Sequence, residues 1–433
     1  MDSTGLNERD MVSGNKWFTP NNIYITIMYI VAFVVISNNA LAIITGPVLA
    51  VTMLITILSK KFYSVILLIV LANDSLGTIA LGKGSFYWLL IGLILLRILS
   101  KKTPLNITIR GLLYFAVLLL ILFQLYFASE TGIRTILITV IYAIAIFVTI
   151  EEIKNESEKL KDFFFHMSVT IFLICLSTLT FGGVVFYEES TRVGIRGLGI
   201  GDPNFSSLII NSGIAILLAQ NYRNPLIRFG MILVMVAAMV QTASITGLIC
   251  LLLILLIYFV VGLNLSKMSR NIVLFFLLTI ILLQFYNGLP QDSKNESIDM
   301  YISRVEAKLD DFTNGNYNNL TTNRSSLTQQ NLEYYTDQSF LKQAFGGNSL
   351  PPEGYNLSHN TYIDLLLRFG VFGTIAFGFV IIKRLWKHFR QYYKTKENGE
   401  VFLLKIVFLI FAGTLSIYSG NVFVLWYLIL LVL

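Results

Sequence analysis

Three short stretches of this sequence hold the side chains that chemistry would need. The first is SHNTYIDLLLRFGVFG at 358–373, which sets His359 and Asn360 at the entry to a long apolar run. An imidazole titrates near neutral pH and suits general-base work. The other reading of His359 is an interfacial histidine that caps the helix that follows. Asp364 and Arg368 stand one helical turn apart and can neutralise each other, which would itself explain two charges in an apolar segment. The second stretch is TRVGIRGLGIGDPNFSS at 191–207. Its glycines let a ligand approach the backbone, and the guanidinium forks of Arg192 and Arg196 match phosphate oxygens in pairs. Asp202 or Asn204 can cap the helix that begins at this point, whose positive end also favours an anion. A plain turn and cap is the alternative, and it accounts for Pro203. The third stretch is TTNRSSLTQQNLEYY, with Arg324 ahead of a predicted loop helix and Arg304 upstream. These two arginines are either anion ligands or solvated loop residues.

Other chemistries lack their residues. No Walker-type phosphate loop is present, so no ATP engine is expected, and there is no Asp-any-Asp pair to hold a metal and a nucleotide sugar. Three histidines and two cysteines, Cys175 and Cys250, are too few for a zinc site or a disulfide framework. The expectation is no metal and no cofactor.

The elements that position these residues must be membrane helices. Of 433 residues, 55% are hydrophobic and 13% charged, about half the charge of an ordinary soluble domain. Lipid must therefore solvate much of the chain. Apolar runs near 23–38, 40–59, 62–81, 84–100, 109–127, 131–150, 162–182, 204–220, 225–243, 245–264, 271–288, 361–382, 401–416 and 418–433 predict 12–14 transmembrane helices in an all-α polytopic membrane protein. Their solid apolarity argues against β-barrel alternation. The net charge of +7 collects beside these runs, a pattern of membrane orientation rather than nucleic-acid binding. Lys60, Lys61, Arg97, Lys101, Lys102, Lys154, Lys159, Arg223, Arg228, Lys267 and Arg270 fall on alternate connections, which predicts both termini in the cytoplasm.

The resulting organisation is a cytoplasmic tail at 1–22, eleven spans within 23–288 with an exterior loop at 183–203, a large exterior loop at 289–360, and C-terminal spans within 361–433. A basic cytoplasmic loop at 383–400 reads as a membrane-surface segment. Seventy residues between otherwise short connections are usually functional, and Ser325 to Lys342 has helical periodicity.

Taken together, the glycine-rich loop into Asp202-Pro203-Asn204, the late exterior loop with an arginine before a helix, and HNTYIDLLLRFGVFG resemble the O-antigen polymerase and O-antigen ligase superfamily of bacterial envelope enzymes. The resemblance covers the layout of the whole chain, with its motifs between about 190 and 373. It implies a GT-C-type membrane glycosyltransferase of the bacterial plasma (inner) membrane. The donor would be a glycan on undecaprenyl pyrophosphate at the outer face of that membrane, and the acceptor a second glycan. Candidate partners are these lipid-linked glycans, the bilayer and a chain-length regulator. The resemblance maps the family's exterior-loop arginines onto Arg192 or Arg196 and onto Arg324, and its His-Asn motif onto His359 and Asn360. The candidate catalytic residues are His359, Arg324, Arg192 and Arg196. The candidate substrate-binding residues are Asp202, Asn204, Asn360, Arg304 and Arg368.

Two departures bear on subclass. QTASITGL at 241–248 lacks the arginine that ligases of the superfamily often carry at such a position, which favours polymerase. Arg368 stands where a carboxylate is frequent. The alternatives are a ligase that transfers finished glycan to a lipid or protein, a lipid-linked oligosaccharide flippase, and a small-solute transporter. A flippase would line its spans with charge and need no long exterior loop. A transporter would show paired Gly/Pro-interrupted helices.

Overall fold

Thirteen of the fourteen apolar runs are helical where the sequence places them, and the fourteenth, 271–288, lies outside the described residues. A computed structural model describes residues 23–37, 42–59, 61–72, 85–99, 107–127, 133–181, 203–220, 225–242, 244–262, scattered positions of 303–315, 324–347, 360–395, 397–415 and 421–433. Among them every regular element is helical. The helices are α1 (Ile23–Ser37), α2 (Ala42–Ile57), α3 (Tyr63–Leu71), α4 (Ser85–Leu99), α5 (Ile109–Phe127), α6 (Ile133–Ile153), α7 (Ser157–Phe181), α8 (Pro203–Ala219), α9 (Pro225–Thr242), α10 (Ile245–Gly262), α11 (Arg324–Thr336), α12 (Phe340–Phe345), α13 (Thr361–Thr395), α14 (Gly399–Ala412) and α15 (Asn421–Leu431).

Among the described residues, three helices are long and apolar enough to cross a bilayer: Ser157–Thr180, Pro225–Thr242 and Thr361–Thr395. Ile23–Ser37, Ile44–Ile57, Ile109–Leu120, Asn204–Ala219 and Ile245–Tyr258 are shorter apolar helices. The surface has the inverted character of a lipid-solvated protein. Ile23, Ile27, Ile30, Leu112, Leu113, Leu120, Leu226 and Phe229 face outward, whereas Ser64, Thr149, His166, Asn211 and Lys405 are buried. Apolar side chains gain nothing from leaving lipid, so interior packing falls to close contacts and to hydrogen bonds between helices.

Polar contacts gather the helix ends into two layers. At one end Lys61 pairs with Asp162 at 3.2 Å, and Tyr63 donates to the same carboxylate. Arg97 donates to the carbonyl of Ile57. The amide of Gln220 donates to the carbonyl of Lys161 at 2.8 Å, and Arg228 to the carbonyl of Gln220 at 3.2 Å. Lys154 pairs with Glu151. This layer is basic. From it a polar thread runs inward: His166 Nε2 stands 3.6 Å from Asp162, and His166 Nδ1 lies 3.0 Å from the Tyr29 hydroxyl, tying α1 to α7.

Helix α14 fixes the opposite layer. A Cβ on Gly399, at its start, would lie 3.2 Å from Ala219 at the end of α8 and 2.6 Å from the ring of Tyr392, late in α13. At its far end, Thr361 at the start of α13 donates its N–H (3.0 Å) and its hydroxyl (2.6 Å) to the carbonyl of Leu415. Helix α14 therefore runs antiparallel to α8 and α13, and the first turns of those two helices share one end of the bundle.

The segment 383–400, expected as a loop, is instead mostly helix. Helix α13 continues through Thr395, the chain turns at Asn398 with φ of 56°, and α14 begins at Gly399. Charged residues at 383–394 alternate with Leu385, Trp386, Phe389 and Tyr392 at helical spacing, so an apolar face extends past the hydrophobic run. Ionisable side chains also reach inside the helices, since Lys405, His166 and His388 are all buried.

Candidate functional site

The described starts of two of the sequence motifs, at Pro203 and Asn360, lie at the end of the bundle opposite the basic layer. Pro203 occupies the first helical position of α8, where a missing N–H costs nothing. Asn204 lies just inside the helix, and its side-chain oxygen accepts the Ser244 hydroxyl at 2.7 Å. Ser244 opens α10 at the break after α9, and its own oxygen accepts the N–H of Gly247 at 3.0 Å. One turn along α8, the Ser207 and Thr242 hydroxyls are 2.9 Å apart. A further turn in, Asn211 donates to the carbonyls of Ser207 (2.9 Å) and Gly247 (3.0 Å). The approach is close because position 247 carries no side chain: a Cβ there would meet Ser207 Cβ at 2.7 Å. QTASITGL, notable in the sequence for the arginine it lacks, thus supplies the polar partner of the DPNFSS motif. Runs of Ser, Thr and Gly at two facing helix starts were the signal that could have found it.

Asn360 caps α13. Its side-chain oxygen accepts the N–H groups of Tyr362 (3.0 Å) and Ile363 (3.4 Å), two of the donors a helix start leaves unmet. The capping role that the sequence offered to His359 is thus filled by its neighbour Asn360. Asp364 and Arg368 follow on the same helix, and both are buried.

Gly370 breaks α13 with φ of 62° and ψ of −173°, a conformation side-chain-bearing residues avoid. Helix α12 docks into this break. The N–H of Gly347 donates to the carbonyl of Arg368 at 3.1 Å, which satisfies an acceptor that the break would otherwise leave without its intrahelical donor. Gly346, with φ of 79°, lies so close that a Cβ would overlap that carbonyl; a Cβ on Gly370 would lie 2.5 Å from the Ala344 backbone. Phe345 and Phe372 complete the contact, with ring centroids 5.4 Å apart.

Helices α11 and α12 form a hairpin locked by its own side chains. Tyr335 donates its hydroxyl to the carbonyl of Gln343 at 2.6 Å, and Gln343 donates to the carbonyls of Thr336 (2.7 Å) and Gln338 (2.9 Å). Burial pushes the Tyr335 phenol above its ordinary value, so it remains a donor at neutral pH. The periodic stretch 325–342 is thus helical as expected, with an interruption at 337–339. Arg324 begins α11, which packs on α13.

The structure brings Asn204, Asn360, Arg368 and the α11–α12 hairpin to one end of the bundle. His359, Arg192, Arg196, Asp202, Arg304 and the side chain of Arg324 lie outside the described residues. Among the described residues no three His, Cys, Asp or Glu side chains gather where they could hold a metal ion. Comparisons with protein-family models, with curated proteins and with solved structures find no match to this chain.

Proposed function

We propose that the chain is a polytopic, metal-independent glycosyltransferase that polymerises undecaprenyl-pyrophosphate-linked oligosaccharide repeat units. Its product would be an O-antigen, capsule or similar exopolysaccharide. The basic layer of helix ends takes the cytoplasmic side of the plasma membrane, by the preference of Lys and Arg for that face. The opposite layer then lies outside, where lipid-linked repeats are presented. The observation that carries this reading is the convergence of the starts of α8, α10 and α13 with the docked α11–α12 hairpin at that one end. A transporter or flippase has no need of a hairpin clamped onto the end of a span.

In the proposed reaction an acceptor hydroxyl oxygen attacks the anomeric carbon of the donor sugar. The bond from that carbon to the pyrophosphate oxygen breaks, and the electron pair leaves with undecaprenyl pyrophosphate. His359 takes the hydroxyl proton, a role that contributes about 10²- to 10⁴-fold where general bases have been measured. Arg192, Arg196 and Arg324 face the pyrophosphate and stabilise the charge that develops on it. Asn360 holds the first turn of α13 so that its neighbour His359 keeps a fixed approach. The α8–α10 contact does the same for the segment carrying Asp202 and the two upstream arginines. The missing arginine in 241–248 favours polymerase over ligase.

The test is complementation of a strain deleted for this gene, read as the surface glycan ladder on a gel. His359→Ala and Arg324→Ala should leave single repeats exported and no ladder, with the protein still inserted at wild-type level. A full ladder from either variant removes that residue from the mechanism. Repeats stranded on the inner leaflet in the deletion strain would indicate a flippase instead.

A further inference from the structure

Helix α14 carries one charged side chain into its apolar length. Lys405 sits in VFLLKIVFLI, six residues past the helix start, with its side chain 1% exposed. Its ammonium lies 3.2 Å from Nδ1 of His388 on α13, which is itself buried. An ammonium has three hydrogens to place, and an imidazole nitrogen takes one. Leaving donors of a buried charge unmet is costly.

The surroundings add cations. Arg384 lies one turn before His388, half-buried, its guanidinium 4.3 Å over the ring of Tyr114 on α5. Lys387 is the exposed neighbour of His388. Among the described residues no carboxylate pairs with Lys405, Arg384 or Lys387, whereas the basic groups of the same layer on α7 do have partners, such as Lys159 with Glu156. Exposed Lys387, half-buried Arg384 and enclosed Lys405 therefore form a run of basic side chains that an anion from elsewhere would complement.

Their depth is marked by the neighbouring surface. Phe372, Ile375, Phe379, Ile382 and Trp386 form an exposed apolar stripe along α13. It ends at Trp386, a residue that favours the bilayer interface, and beyond it the exposed positions include Arg390 and Lys394. The cationic cluster thus sits at headgroup level, beside the tryptophan.

We propose that Lys405, His388, Arg384 and Lys387 form a binding site for a phosphate group, occupied by the headgroup of an anionic phospholipid from the leaflet at the basic end of the bundle. Arg384 supplies a paired contact to the phosphate oxygens and Lys387 a single one, enclosed Lys405 lies behind them beside His388 without touching the phosphate, and the acyl chains lie along the exposed stripe. The site is at the opposite end from the glycan chemistry and stands independently of it.

The experiment uses the purified full-length chain in detergent micelles, read by thermal midpoint and by native mass spectrometry. Added phosphatidylglycerol should raise the midpoint of the wild type by about 4 °C or more and leave bound-lipid adducts, while phosphatidylcholine at the same mole fraction does neither. Lys405→Met and Lys387→Gln, the latter at an exposed position that folding tolerates, should each weaken the response several-fold. The double variant Arg390→Gln/Lys394→Gln should respond like the wild type. Inorganic phosphate giving the full rise in wild type but not in Lys405→Met would keep the site and assign it to a free anion. An undiminished lipid response in both Lys405→Met and Lys387→Gln would overturn the proposal. So would its loss in the Arg390→Gln/Lys394→Gln variant alone.

Discussion

The backbone N–H of Gly347 donates to the backbone carbonyl of Arg368 at 3.1 Å, across twenty-one positions of sequence. That single bond joins the α11–α12 hairpin to a break inside a candidate span. Glycines on both sides make the approach possible.

Gly370→Ala should undo this junction. A residue with a side chain pays about 1–2 kcal/mol for the left-handed conformation alone, and the new methyl would overlap the Ala344 backbone. The expected result is a lower thermal midpoint and faster proteolysis of the hairpin in the folded protein. Gly378→Ala is the control: it meets nothing within 4 Å and should be neutral or stabilising by up to about 1 kcal/mol.

The Asn204–Ser244 bond is testable in the same way. Ser244→Ala should cost about 0.5–1.5 kcal/mol and shorten the glycan ladder without affecting insertion. Gly247→Ala should cost more, because its methyl meets Ser207 at 2.7 Å. Adding Ser207→Gly, which removes the Cβ that the new methyl meets, should recover part of that loss, a coupling that a double-mutant cycle measures directly.

Helix positions were legible in the sequence because a bilayer sets both the length and the solid apolarity of a span. A long, solidly apolar run such as ITGLICLLLILLIYFVVG favours a helix over a strand. The break at Gly370 was not legible, since FGVFG looks like a continuation of the run and glycine is common in membrane helices. Only the docking of Ala344 to Gly347, which depends on a distant segment, gives that glycine its role. Lys405 escaped notice because one lysine barely changes the apolar average of its window. Its burial, not its type, makes it unusual.

Sidedness can be tested with cysteines. Cys175 and Cys250 are both buried, so the native background should be nearly silent to a polar maleimide. Lys342→Cys on α12 should label in intact cells. Lys394→Cys at the far end of α13 should label only after permeabilisation. The reverse pattern would invert the proposed orientation, and labelling of both without permeabilisation would refute it.

Asp162 serves Lys61 and Tyr63 together and lies near His166. Asp162→Asn should destabilise the bundle by roughly 1.5–3 kcal/mol, the range for charged hydrogen bonds. The drop in thermal midpoint should exceed that of Glu156→Gln, whose pair with Lys159 is largely exposed.

The clamp at Gly370 also limits how such a protein can be re-engineered. Residues 340–347 and 361–373 are the two halves of one joint, shaped to each other through backbone rather than through exchangeable side chains. A chimera that borrows the α11–α12 hairpin from another sequence while keeping its own helix would mate unlike halves. Specificity grafts should therefore move both stretches as a single cassette.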